Sequence, residues 1–192
     1  VQAGDVDEIV CIGHSMGAIP LIEAIAQVLD RNPNIGHYGV KLVVLTVGST
    51  MPKLSLHPAA GSLRAAATRI AAHSAINWTE YQTRDDLISF HKFHPVALQP
   101  LCTETATVKP EIRRVLVRDM LSAATLWRRR LSWMRMHYQL VMANELRASY
   151  DYFMFVCGPV PIADLVRAPD GALHFLTAVG EYCHARSVLA IS

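Results

Sequence analysis

Gly13-His14-Ser15-Met16-Gly17 has the form G-x-S-x-G, the spacing that a nucleophilic serine needs. A serine hydroxyl at neutral pH is a weak nucleophile. It becomes useful when a sharp turn exposes it, a general base lies within hydrogen-bond reach, and a carboxylate orients that base. A strand running into a helix supplies the turn, and glycines on either side of the serine avoid clashes with the neighbouring strand and helix. The same turn aims the backbone N–H of Met16 at a developing oxyanion, with the positive end of the following helix behind it. With 10 Gly and 11 Ser among 192 residues, chance would give the pattern only about 0.03 times.

The elements around the motif fit this use. Asp7-Glu8-Ile9-Val10-Cys11-Ile12 reads as a buried strand that stops at Gly13. From Met16 to Leu29, Ile19, Ile22, Ile25, Ala26 and Leu29 recur at helical steps until Asn32-Pro33-Asn34 breaks the pattern. Val40 to Val47 is a second buried strand, closed by Gly48-Ser49-Thr50. An Ala-rich stretch with Leu63, Ile70 and Ile76 contains a helix, and Trp78-Thr79-Glu80-Tyr81-Gln82 is a third strand. This alternation predicts the α/β class, a parallel sheet with crossover helices that starts at the nucleophile strand. Further on, Pro110 opens a helix through Val115, Met120, Leu121 and Leu126, and Tyr150 to Cys157 is a fourth strand ended by Gly158-Pro159. Ala172 to Val188 is expected to be helical.

Composition narrows the class further. A chain that is 52% hydrophobic and 18% charged, without repeats or low-complexity tracts, is neither disordered nor solenoid, and it reads as a single domain over 1–192. No apolar run is long enough to span a membrane, and Val1-Gln2-Ala3-Gly4-Asp5 lacks the pattern of a secretory signal. Cys11, Cys102, Cys157 and Cys183 are widely spaced, which points to a reducing, cytoplasmic setting, with Cys11 and Cys157 as small core residues. No cofactor or metal is expected. His91 and His94 form an H-x-x-H pair with no third ligand at a suggestive spacing.

In Gly13-His14-Ser15-Met16-Gly17 the chain resembles the esterase and lipase branch of the α/β-hydrolase superfamily, and Leu45-Thr46-Val47-Gly48-Ser49 is similar to its T-x-G-S segment. Met136-His137-Tyr138-Gln139-Leu140-Val141, Tyr150-Asp151-Tyr152-Phe153 and Cys157-Gly158-Pro159 resemble a poorly characterised group of bacterial hydrolase-like proteins. The resemblance implies the chain order serine, acid, histidine, with the acid in the loop after a later strand. That loop is Thr83-Arg84-Asp85-Asp86. Asp86 is preferred because Leu87-Ile88 would anchor it facing inward, with Asp85 as the alternative acid in a solvated position. For the base, chain order leaves His91, His94, His137, His174 and His184, and the first two follow the acid too closely. Generic topology favours His174, after the fourth strand; resemblance to the bacterial group favours His137, which is the choice here. About four strands usually precede the nucleophile strand in this superfamily, so the chain is expected to be the C-terminal half of a larger enzyme whose second oxyanion donor lies upstream.

Lys109 to Arg147 carries nine basic and three acidic residues, net +6, against −4 for the rest. Trp127-Arg128-Arg129-Arg130-Leu131-Ser132-Trp133-Met134-Arg135-Met136 reads first as a helix with arginines in water and Trp and Met in the core. A second reading makes 109–136 a cap over the serine, with 127–136 touching an anionic membrane surface from the cytoplasmic side. No nucleic-acid motif accompanies the arginines. The leading expectation is a serine hydrolase of small-molecule or lipid esters. The alternatives are a non-catalytic hydrolase-like domain for membrane or partner binding, and an acyltransferase or thioesterase using the same residues.

Overall fold

Short β-branched runs bounded by glycine, with amphipathic helices between them, set the order of elements in the first part of the chain. The computed structural model describes residues 6–37, 39–101 and 109–177. The order is β1 (Glu8–His14), α1 (Ala18–Arg31), β2 (Lys41–Val47), α2 (Met51–Ser55), α3 (Gly61–Ala72), β3 (Ile76–Thr83), β4 (Phe93–His94), β5 (Gln99–Pro100) and β6 (Glu111–Val115). Then come α4 (Ala123–Arg129), α5 (Trp133–Tyr138), α6 (Tyr152–Cys157) and α7 (Ile162–Arg167), interspersed with 3-10 turns. By its internal contacts the chain divides into two compact units, Val1–Arg114 and Val115–Ser192. No helix among the described residues is long and apolar enough to cross a membrane.

The first unit is α/β. Its main sheet has the order β1-β2-β3-β6, with β1 pairing β2 and β2 pairing β3 in parallel; β4 and β5 form a separate antiparallel ribbon. Ile22, Ile25 and Leu29 of α1 and Leu63, Ala67 and Ile70 of α3 pack with Leu42, Val44, Ile76 and Trp78 of the sheet. Each large side chain buried there contributes about 1.5–3 kcal/mol. Ile76 begins β3 rather than extending the preceding helix, which stops at Ala72.

The helix expected from Pro110 is instead strand β6. Lys109 just ahead of it donates from Nζ to the carbonyls of His73 (2.7 Å) and Ile76 (2.6 Å), in the segment leading into β3. Those bonds bring the following residues alongside β3, where the open sheet edge offers more than an isolated helical turn could. Proline is tolerated there because it precedes the first paired residue.

In the second unit the expected strand Tyr150 to Cys157 is helix α6. Asp151 caps it, accepting from the backbone N–H of Met154 (3.2 Å), while Met154 and Phe155 are buried and Phe153 and Val156 exposed, a helical rather than an alternating pattern. Tyr150 donates from its hydroxyl to the Leu140 carbonyl (2.5 Å) at the centre of this unit. Gly171 has φ 54°, and a Cβ there would lie 2.2 Å from the Ser149 carbonyl oxygen, so glycine is required. Cys11 is half-buried, whereas Cys157 is exposed at the end of α6 and is not a core residue. Cys102, Cys183 and His184 lie outside the described residues, as does the expected helix beyond residue 177; its described start is a 3-10 turn, Gly171–Phe175.

Candidate active site

Ser15 has φ 56°, a left-handed backbone that costs a non-glycine residue roughly 1–2 kcal/mol. It stands between the end of β1 and a 3-10 turn, Ser15–Gly17, that runs directly into α1. Two backbone donors hold the strained turn through the Ser15 carbonyl: Ala18 N–H and Thr50 N–H, the latter at 3.3 Å. Strain kept at a half-buried serine by surrounding structure is the arrangement a nucleophile turn requires.

The two glycines of the motif differ. A Cβ on Gly13 would stand 2.7 Å from the Ala18 Cα and 3.0 Å from Leu21 Cδ2, so only glycine lets β1 pass so close to α1. At Gly17 no atom lies within 4 Å of an added Cβ, and φ is −63°. The clash expected at the second glycine is therefore absent. Met16 lies in the 3-10 turn with its side chain in solvent, so its backbone N–H belongs to the first turn at the positive end of the helix.

Asp86 follows β3. Its Oδ1 accepts from the backbone N–H groups of Ile88 (2.8 Å) and Ser89 (3.3 Å), and the side chain is buried. Leu87 is 79% exposed, so the loop is not pinned by an apolar Leu87-Ile88 anchor; the carboxylate itself organises it as an Asx turn. Asp85 is half-buried, with Arg84 Nε at 3.8 Å and the Thr83 hydroxyl donating at 3.5 Å. Ser15 and Asp86 thus leave the same end of the sheet from strands flanking β2: His14 is opposite Val47, and Val47 opposite Tyr81.

His137 belongs to the second unit. It is buried in α5, its ring edge-on to Tyr138 at 5.8 Å. His174 is exposed in the last 3-10 turn, against Phe175. Because Tyr150 to Cys157 is helical, the topological argument for His174 loses its premise. Among the described residues the last strand of the main sheet is β6, and His137 is the first histidine after it in the sequence. His94 is buried, with Nδ1 accepting from Val96 N–H (3.3 Å) and Ala97 N–H (3.1 Å), which commits that nitrogen to a structural turn. Burial, with Lys92, Arg114 and Arg84 adding to it, lowers the His91 pKa. Among the described residues no group of three or more His, Cys, Asp or Glu could hold a metal ion.

One feature of this unit was not anticipated. Glu80 is fully buried in β3 and accepts from the Thr46 hydroxyl and from Gln82 Nε2, each at 3.1 Å. Trp78 Nε1 donates to the same Thr46 oxygen (3.0 Å), and Gln82 Nε2 also reaches the Phe93 carbonyl (2.8 Å), beyond the loop that carries Asp86. Burial pushes the Glu80 carboxyl up to about 7. The signal in the sequence was a run of polar residues (Thr79, Glu80, Gln82, Thr83) in a strand with both faces buried.

The chain matches no family model, no curated protein and no solved structure. The chemistry of these residues therefore carries the functional argument.

Proposed function

We propose that this chain is a serine hydrolase acting on carboxylic esters, of α/β-hydrolase type. The observation that carries the reading is Ser15 at φ 56° between a strand and a helix, two residues after a glycine whose Cβ would clash with Ala18. Ser15 Oγ attacks the acyl carbonyl carbon, and His137 takes its proton. Asp86 orients the imidazole, and Met16 N–H binds the oxyanion. Collapse of the tetrahedral intermediate expels the alcohol with that proton and leaves an acyl-Ser15, which water then hydrolyses with His137 as base again.

The chain order Ser15, Asp86, His137 supports this assignment, with Ser15 and Asp86 following β1 and β3 of one sheet. Hydrolysis of p-nitrophenyl esters by the natural gene product tests the proposal. Ser15→Ala should abolish turnover. Asp86→Asn keeps the Oδ1 acceptor of the Asx turn but removes the charge, and should lower kcat by roughly 10⁴ with the fold intact. Full activity in Ser15→Ala would refute the reading.

A further inference from the structure

The arginine-rich segment turns most of its large apolar side chains outward, Met136 excepted. Trp127 is 65% exposed, Leu131 87% and Trp133 54%, and Met134 is exposed beside them. The buried positions of α4 and α5 are instead Thr125, Met136 and His137. The reading with Trp and Met in the core therefore holds for Met136 alone and fails for Trp127, Trp133 and Met134. Arg128, Arg130 and Arg135 are exposed in the same stretch, and from Met120 to Asn144 the sequence has four arginines and no acidic residue. The Arg130 guanidinium stacks over the Trp127 ring at 5.1 Å, which keeps a cation beside the apolar surface.

We propose that α4, α5 and the turn between them form a docking surface for an anionic phospholipid bilayer. Two independent properties select this occupant. Indole, leucine and methionine side chains held in water favour the boundary between headgroups and acyl chains, where tryptophan is at home. The uniformly cationic frame complements a negative leaflet, and each exposed arginine near such a surface strengthens attachment roughly fivefold. A nucleic acid would use the arginines but leave Leu131 and Met134 without a role. A protein interface core is usually depleted in charge, whereas here charge alternates with apolar groups along the stretch. Two arginines are steadied within the segment, Arg128 donating to the Thr125 hydroxyl (3.1 Å) and Arg129 to Gln139 Oε1 (2.8 Å).

The test is flotation of the purified protein with vesicles of phosphatidylcholine alone and of phosphatidylcholine with phosphatidylserine. Binding to the anionic vesicles only, weakened by salt, is expected. Joint replacement of Arg128, Arg130 and Arg135 by Gln should cut binding roughly a hundredfold, and Trp127→Ala with Trp133→Ala should also release the protein. These side chains are exposed, so unchanged thermal unfolding should accompany both variants. Ser15→Ala should bind as the wild type does, which separates this proposal from the enzymatic one. Equal binding to neutral vesicles, unchanged binding by the arginine variant, or a self-association in sedimentation that the tryptophan variant abolishes would each overturn it.

Discussion

Replacing Glu80 by Gln should change how stability depends on pH. The side chain is fully buried between neutral donors, Thr46 and Gln82, and burial lifts its carboxyl from 4.5 to about 7. In this window the folded chain holds a proton that the unfolded chain has released. Stability therefore falls as pH rises from about 4.5 to about 7 and levels off above. A rise of 2.5 units at about 1.4 kcal/mol per unit makes the loss about 3 kcal/mol. Glu80→Gln keeps the volume and an acceptor for Gln82, and the Thr46 hydroxyl can turn towards the Thr79 carbonyl, already at 3.5 Å. Because every other titrating group is common to both proteins, the stability difference between them isolates position 80. Urea unfolding read by circular dichroism across this range should show the variant gaining about 3 kcal/mol on the wild type. Parallel profiles, with a constant difference at every pH, would refute the placement of an uncharged Glu80 at the heart of the sheet.

Two further predictions concern the motif and the base. Gly13→Ala should destabilise the chain by roughly 1–3 kcal/mol through the contact with Ala18, whereas Gly17→Ala should be neutral or stabilise it by about 0.4–1 kcal/mol, as chemical denaturation will show. His137→Ala should lower ester turnover by at least roughly 10³ while His174→Ala leaves it within a factor of a few; the reverse pattern would transfer the base to His174.

The part of the fold legible in the sequence is the part whose local preferences agree with its tertiary setting. β1 and β2 are β-branched runs ended by glycine, and α1 carries a clean stripe of Ile22, Ile25 and Leu29. The misreadings share another cause. Glu111 to Val115 has no strong periodicity, so Lys109 and the open edge of β3 decide its state. Tyr152 to Cys157 has the aromatic and β-branched content of a strand, yet the Asp151 cap and the pair of buried neighbours Met154 and Phe155 make it helical. At the site, Ser15 was legible because its backbone strain needs a glycine at a fixed offset. The support of Asp86 was not, because an Asx turn is formed by backbone N–H groups that no side-chain pattern announces. The Trp127 and Trp133 exposures were hidden for a related reason: helical spacing gives a face but not what that face meets.

The central claim is that the strained serine is a nucleophile, and covalent capture tests it most directly. A fluorophosphonate should phosphonylate the natural gene product once, on Ser15 within the tryptic peptide that carries it, and Ser15→Ala should abolish the adduct seen by mass spectrometry. A folded protein that remains unmodified, or an adduct on another residue that persists in Ser15→Ala, would contradict the account.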